Sequence, residues 1–469
     1  MTTAYRMFVA MILALSAAGL RAETPAEWPA GDWKGTLQAG QQQLEMVYHL
    51  ATGPDGDWTG SMDVPAQGAM GLPLQSIEIS DTSITITIAM PLPGEASYEG
   101  TWNSAEQRID GRFSQAGQSF PLVLERTQGE VAGPVRPQEP KAPLPYRSEV
   151  VTLPNAGTSL AGTLTLPDEQ SSFPGIVLVA GAGPHDRDGT FMNHRPLLVL
   201  ADHLTRAGFA VLRFDERGIG NSEGEFAGAT ADQLAGDIAA AAQFLRGHES
   251  VDAGKITIIA HSEGGRLSAL AIETHQAANG LVLLGAPARP GIEGLRSEAG
   301  QSSSPIAGLQ LAVAEAALGV EVGADARPAM RAAAEQSLAA LEPQQRAAFG
   351  GQEDAVVGQL VQAIGQPQAQ FSLRFDPRPA LKSAAIPVLV LYGDKDRQID
   401  ARGEAQAWRD ALGDGVDVTM LAGLNHFFQQ ANTGAATEYA SIEQTISPTA
   451  LKTIVEWLQT NLDTGDEQS

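Results

Sequence analysis

Three residues far apart in the chain have the types and the setting to do acyl-transfer chemistry together: Ser262, Asp396 and His426. Lys255 to Ala260 runs into His261-Ser262-Glu263-Gly264-Gly265, and a helix is expected from Arg266 to Thr274. Ile256, Ile258 and Ile259 are β-branched and uncharged, as a strand buried on both faces requires. At the apex of a strand-turn-helix elbow the side chain stands clear of the sheet, and the next backbone N–H points at whatever that side chain attacks. Ser262 occupies the apex. A serine hydroxyl is a poor nucleophile at neutral pH and needs an adjacent base. His426 can take its proton and return it to the leaving group, and a carboxylate must hold the imidazole tautomer and offset its positive charge. Asp396 follows the strand-like Ile386–Tyr392, and His426 follows Val416–Leu421. In a parallel sheet all three side chains would share one edge.

Each assignment has a rival. The pattern G-x-S-x-G is met literally at Gly220-Asn221-Ser222-Glu223-Gly224, whereas Ala260 replaces the first glycine at the elbow. Ser222 follows the loop Asp215-Glu216-Arg217-Gly218-Ile219 and has no strand directly before it, so context favours Ser262. His261 neighbours Ser262, but adjacent side chains on a tight turn diverge. Asp394 competes with Asp396, and the spacing after Gly393 favours Asp396. Gly175–Val179 reads as a buried strand entering Ala180-Gly181-Ala182-Gly183-Pro184. A glycine-rich loop there leaves N–H groups free to stabilise an alkoxide. The N–H groups of Ala182 and Glu263 are therefore assigned as an oxyanion hole. A phosphate loop is the competing reading, but its Lys-Ser/Thr ending is absent. His185-Asp186-Arg187-Asp188 reads as loop-ordering charge ahead of a metal cluster.

The elements that must position these groups alternate strand and helix, which requires a mostly parallel sheet with helices on both faces. Helices are expected over Pro196–Arg206, around Leu234, Ile238, Ala241 and Leu245, over Ala401–Ala411, and after Ser447-Pro448. Glu149–Leu166 should form a leading hairpin. Residues 292–380 break the alternation and are rich in alanine, glutamine and leucine, as expected of a helical cap. Residues 148–291 and 381–469 would form the core. Residues 23–127 differ, with Gly-Asp-Trp-x-Gly at Gly31 and again at Gly56, and with Ile84, Ile86 and Ile88 alternating with threonines. Short strands with glycine turns predict a small antiparallel barrel or sandwich. His49, in an apolar strand, reads as packed or edge. Five prolines within residues 128–147 predict an extended, semi-rigid linker.

Composition narrows the function classes. A net charge of −25 disfavours nucleic acid and anionic lipid as partners. The chain has no cysteine, so disulfides and thiolate metal sites are excluded. Arg6 followed by the apolar run Met7–Leu20, too short to span a bilayer, reads as a signal peptide over residues 1–22, with a retained anchor as the alternative. A periplasmic or secreted location is expected, without a membrane span in the mature chain.

From about residue 148 onward the sequence resembles a serine α/β-hydrolase. It looks most like exported bacterial carboxylesterases that carry an N-terminal β domain, relatives of the serine-aminopeptidase-like hydrolases. The matching pieces are Gly181-Ala182-Gly183-Pro184-His185-Asp186-Arg187-Asp188, Asp215 to Ser222, Ala260 to Gly265, Tyr392-Gly393-Asp394-Lys395-Asp396 and Asn425-His426. The order Ser…Asp…His is also that of the α/β-hydrolases. The resemblance implies ester hydrolysis through an acyl-serine intermediate without metal or cofactor, and the expected substrates are small esters of short acyl chains. Two other readings stay open. One is a peptidase or amidase, which acidic cap residues facing the pocket, such as Glu298 or Glu353, would favour. The other is a binding protein whose β unit does the work beside a vestigial hydrolase.

Overall fold

A computed structural model of the chain describes residues 30–462 except 40–41, 53–57, 66–68, 81, 89–95, 116–117, 128–135, 156, 169–170, 302–303 and 350. The expected signal segment and the first part of the linker lie outside the described residues. The chain divides into two compact units, one up to residue 131 and one from residue 132.

The first unit is a closed antiparallel barrel of eight strands: β1 (Gly31–Ala39), β2 (Gln42–Thr52), β3 (Trp58–Val64), β4 (Ala69–Ser80), β5 (Ser83–Ile88), β6 (Ala96–Asn103), β7 (Arg108–Gln115) and β8 (Gln118–Arg126). β1 closes the ring by pairing with both β2 and β8. Closure removes the sheet edges that would otherwise invite pairing with other chains. Alternation decides which side faces in: Ile84, Ile86 and Ile88 are buried, and of the threonines between them Thr85 is exposed and Thr87 half-buried. Trp33, Tyr48, Tyr98 and Trp102 fill the interior, the two tryptophans meeting edge to face at 5.4 Å.

His49 is not simply packed. Its Nδ1 lies 2.7 Å from Asp32 Oδ1 and its Nε2 lies 2.9 Å from Asp63 Oδ2, so two carboxylates grip one ring. Burial alone would lower its pKa, but the hydrogen bonds to Asp63 and Asp32 outweigh that and raise it above 6.5. A raised folded-state pKa means the contribution is fully present below the unfolded value and is lost as pH rises through the folded one. His49→Gln should therefore lower the thermal midpoint of the full chain clearly at about pH 5.5 and far less at about pH 9. An equal deficit at both pH values would rule out the charged bridge.

The second unit is built on an eight-stranded sheet in the order β16-β15-β14-β13-β11-β12-β10-β9. The strands are β9 (Tyr146–Asn155), β10 (Thr158–Pro167), β11 (Phe173–Val179), β12 (Ala210–Phe214), β13 (Val251–His261), β14 (Gly280–Leu284), β15 (Val388–Gly393) and β16 (Val416–Leu421). β9 and β10 form the leading hairpin, β10 pairs antiparallel with β12, and the other pairings are parallel. Successive side chains serve opposite faces. Val388, Val390 and Tyr392 join the core layer under α2 (Ala231–Arg246), α3 (Gly264–His275), α10 (Pro377–Ala384) and α11 (Ala401–Leu412). Leu389 and Leu391 join the layer under α1 (Pro196–Arg206) and α12 (Pro448–Leu462). This is the α/β-hydrolase architecture. β12 and β13 flank β11 on opposite sides, so the connections reverse direction there and leave a crevice at the strand ends.

The described residues of 292–380 are mainly helical: α4 (Gly291–Gln301), α5 (Pro305–Leu318), α6 (Arg327–Ala339), α7 (Pro343–Arg346), α8 (Glu353–Ile364) and α9 (Pro367–Arg374). They have a small core of their own around Leu309, Val313, Met330 and Val361. The linker differs from the expected spacer over its described part. The buried Arg136 donates to the carbonyls of Met192, Asn193, Ala440 and Ile442, and Gln138 binds Thr445 and Ile446. Proline carries no N–H to offer, so side chains moor this strip to the second unit. Among the described residues no helix is long and apolar enough to cross a membrane.

Candidate active site

Strand register brings the first two pieces together. Val179 pairs with Ala260, so the loop after β11 and the turn after β13 emerge side by side. A Cβ added at Gly181 would lie 3.4 Å from Ser262 Cβ. Ser262 has φ +50°, a left-handed conformation that costs a non-glycine residue about 1–3 kcal/mol. The turn persists because its surroundings hold it: Ser262 N–H donates to Leu284 O at 2.8 Å, and Gly265 N–H donates to Ser262 O at 3.0 Å. The following glycines are needed for space. A Cβ at Gly264 would lie 2.0 Å from Ala180 O, and one at Gly265 would lie 2.6 Å from Ala286 Cβ. Ala260, which is fully buried, leaves the elbow intact.

The same strand ends deliver the other two residues. His426 comes over the end of β14, where a Cβ at Gly285 would sit 3.3 Å from His426 Cε1. His426 Nδ1 donates to Asp396 Oδ2 at 2.6 Å, with the side chains 3% and 0% exposed. Asp396 Oδ1 accepts from the N–H groups of Gln398 and Ile399. Of the two candidate acids it is Asp396 that meets the ring; Asp394 instead accepts from Gly423 N–H at 2.6 Å. Ser262 and His426 line one pocket together with Gly181, Ala182 and His261. No hydrogen bond joins the Ser262 hydroxyl to the ring among the described residues. Such bonds are often loose without substrate and tighten when it binds.

The rival residues have structural duties. Ser222 is buried; its hydroxyl donates to Asp215 O at 2.6 Å and accepts from Ala161 N–H at 2.9 Å. The His261 ring donates through Nε2 to the His426 carbonyl at 3.1 Å. Burial, then the nearby His426, pushes the His261 pKa down to about 3, so this ring stays neutral and braces the His426 loop. The charged tetrapeptide orders its loop. Arg187 takes Asp215 in a two-pronged bond at 3.0 and 2.6 Å, and Asp188 pairs with Arg213. Burial alone would raise the Asp215 pKa, but Arg187 and the Asn221 N–H hold it below the ordinary value. Losing one member of such a buried pair costs about 3–5 kcal/mol. Among the described residues no group of three or more His, Cys, Asp or Glu is placed to hold a metal.

The N–H groups of Ala182 and Glu263 donate to no protein acceptor among the described residues. His185 Nε2 donates to the Ala182 carbonyl at 3.0 Å, which fixes that peptide's orientation. The Glu263 carboxylate is drawn off toward Arg266 and the Ser372 hydroxyl of α9. The contact with Ser372 bridges 109 residues, and no local pattern in the sequence signals it.

A family model described as serine aminopeptidase, S33, matches residues 195–429, half of the chain and the stretch that holds Ser262, Asp396 and His426. The chain belongs to the serine aminopeptidase S33 family. It is a hydrolase. Among curated relatives this S33 member is similar to Esterase EstD of Thermotoga maritima, 25% identical over 323 residues that cover 66% of this chain and 69% of the relative. Among solved structures it is similar to Est1E of Butyrivibrio proteoclasticus with ferulic acid bound (16% identity, 66% of this chain, 98% of that one, TM-score 0.40). It is also similar to the Pyrococcus furiosus esterase PF2001 (13% identity, 72% of this chain, 100% of that one, TM-score 0.41).

The S33 hydrolase's pocket beside Ser262 has a volume of about 230 Å³ and is lined mainly by apolar side chains. Neither Glu298 nor Glu353 lines it, and neither does any other described residue of 292–380. The cap reaches the elbow through Ser372 instead. A larger opening of about 990 Å³, between the cap, α2 and α3, contains none of the three residues.

Proposed function

We propose that the protein hydrolyses carboxylic esters through an acyl-serine intermediate. Ser262 Oγ attacks the carbonyl carbon while its proton passes to His426 Nε2. The carbonyl oxygen becomes an alkoxide facing the Ala182 and Glu263 N–H groups, which are worth about 3–4 kcal/mol per donor at such a site. Collapse expels the alcohol, which leaves with the proton from His426. Water then repeats the cycle and frees the acid. Asp396 keeps the His426 proton on Nδ1, so that Nε2 can accept.

The observation that carries this reading is the Asp396–His426 bond beside an apolar pocket that also contains Ser262. The same pocket argues for esters over peptides. An aminopeptidase substrate brings an ammonium group that needs a carboxylate, and among the described residues lining this pocket there is none. A fluorophosphonate probe should label Ser262. Short p-nitrophenyl esters should exceed the matching aminoacyl p-nitroanilides in kcat/KM by at least about a hundredfold. Absence of labelling would point to a vestigial site, and a preference for the anilides would point to a peptidase.

A further inference from the structure

The lining of the pocket beside Ser262 includes no described residue of the cap. Its deep wall comes from two helices on one face of the sheet: Leu197 and Leu200 of α1, and Ala450 and Ile454 of α12. Leu200, Ala450 and Ile454 are each 1% exposed, so the space enters the apolar layer shared by these helices. Residues 450 and 454 are four apart and stack on one helical face. That buried face otherwise carries Leu451, Ile454, Trp457 and Leu458. Ala450 is the small member, and its missing bulk helps to keep the slot open.

Resting on the ester reading above, we propose that this slot receives the acyl group, and that Ala450 and Ile454 set its length. The alcohol portion stays on the open side of Ser262. The slot is wholly apolar at depth, with Leu284 and Phe428 completing the wall, so it suits a hydrocarbon chain and offers nothing to a charged or hydroxylated one. Size sets the range. A dry apolar cavity of about 150 Å³ holds a benzene ring. A pocket of about 230 Å³ then accommodates an acyl group of about four to eight carbons. Each methylene that enters should raise kcat/KM about fourfold, and methylenes beyond the end of the slot should lower it. Acyl selectivity therefore belongs to helices of the hydrolase core, and the cap has no part in it.

The test is a series of p-nitrophenyl esters from acetate to dodecanoate, read as ratios of kcat/KM on the full chain. The wild type should peak between about four and eight carbons. Ala450→Leu fills the slot and should cut the octanoate-to-acetate ratio by about thirtyfold or more, since several methylenes lose their place. Ile454→Ala lengthens the slot and should move the optimum to longer chains. A general loss of folding or of nucleophile activation would scale all esters alike and leave the ratios unmoved. Ratios unchanged in both variants would overturn the proposal while leaving ester hydrolysis standing. If Ala450→Leu does not fold, the direction of the Ile454→Ala shift decides by itself. A wild type that turns over no ester of any length would instead overturn the ester reading.

Discussion

Ser262→Ala should reduce turnover of a p-nitrophenyl ester by about 10⁴- to 10⁶-fold, the scale on which removing a serine nucleophile acts elsewhere. Alanine deletes one oxygen and leaves the elbow backbone in place, so the thermal midpoint should change little. His426→Ala should cost about as much, and the double variant no more than either alone, because the two groups act as one unit. The informative control is Ser222→Ala. Ser222 sits in the sequence that fits G-x-S-x-G literally, yet its hydroxyl is occupied by Asp215 O and Ala161 N–H. Its loss should cost about 1–3 kcal/mol of stability and less than tenfold in kcat. Substantial ester turnover by Ser262→Ala, with collapse in Ser222→Ala, would reverse the assignment.

Asp396→Asn is expected to have the second largest effect, about 10³- to 10⁴-fold in kcat. The substitution is nearly isosteric, so the buried pocket that holds the side chain remains filled. The chemistry changes through the proton. An amide NH₂ facing Nδ1 donates to it and drives the ring proton onto Nε2, the nitrogen that must accept from serine. Fluorophosphonate labelling should slow in parallel with turnover while the thermal midpoint holds, and the unchanged midpoint separates a wrong tautomer from a misfolded site. Asp394→Asn should stay within about tenfold, since Asp394 only accepts from the Gly423 N–H. The opposite ranking of the two variants would transfer the role to Asp394.

Much of this was legible in the sequence because it rests on local rules. Apolar β-branched runs ending in glycine marked the parallel strands, and Pro196 and Pro448 marked helix starts correctly to the residue. The elbow was readable despite Ala260 because its glycines sit where a side chain would collide, Gly264 against Ala180 O and Gly265 against Ala286 Cβ. Spacing favoured Asp396 over Asp394, and it is Asp396 that lies against the His426 ring. What could not be read depends on partners distant in the chain. His49 gave no sign that strand pairing would set it between Asp32 and Asp63. The linker's prolines announced extension, but Arg136 finds four carbonyls that only the folded chain assembles. The cap was legible as helices, yet its position was not: nothing local says that it would touch Glu263 and leave the pocket wall to α1 and α12.

Position 263 shows a division of labour with an evolutionary consequence. Its proposed part in the reaction belongs to a main-chain amide, which every amino acid but proline supplies. Its carboxylate does something else, joining Arg266 below and Ser372 across. Drift at this codon can thus remodel how the helical insertion is fastened without erasing the donor that faces the reacting oxygen.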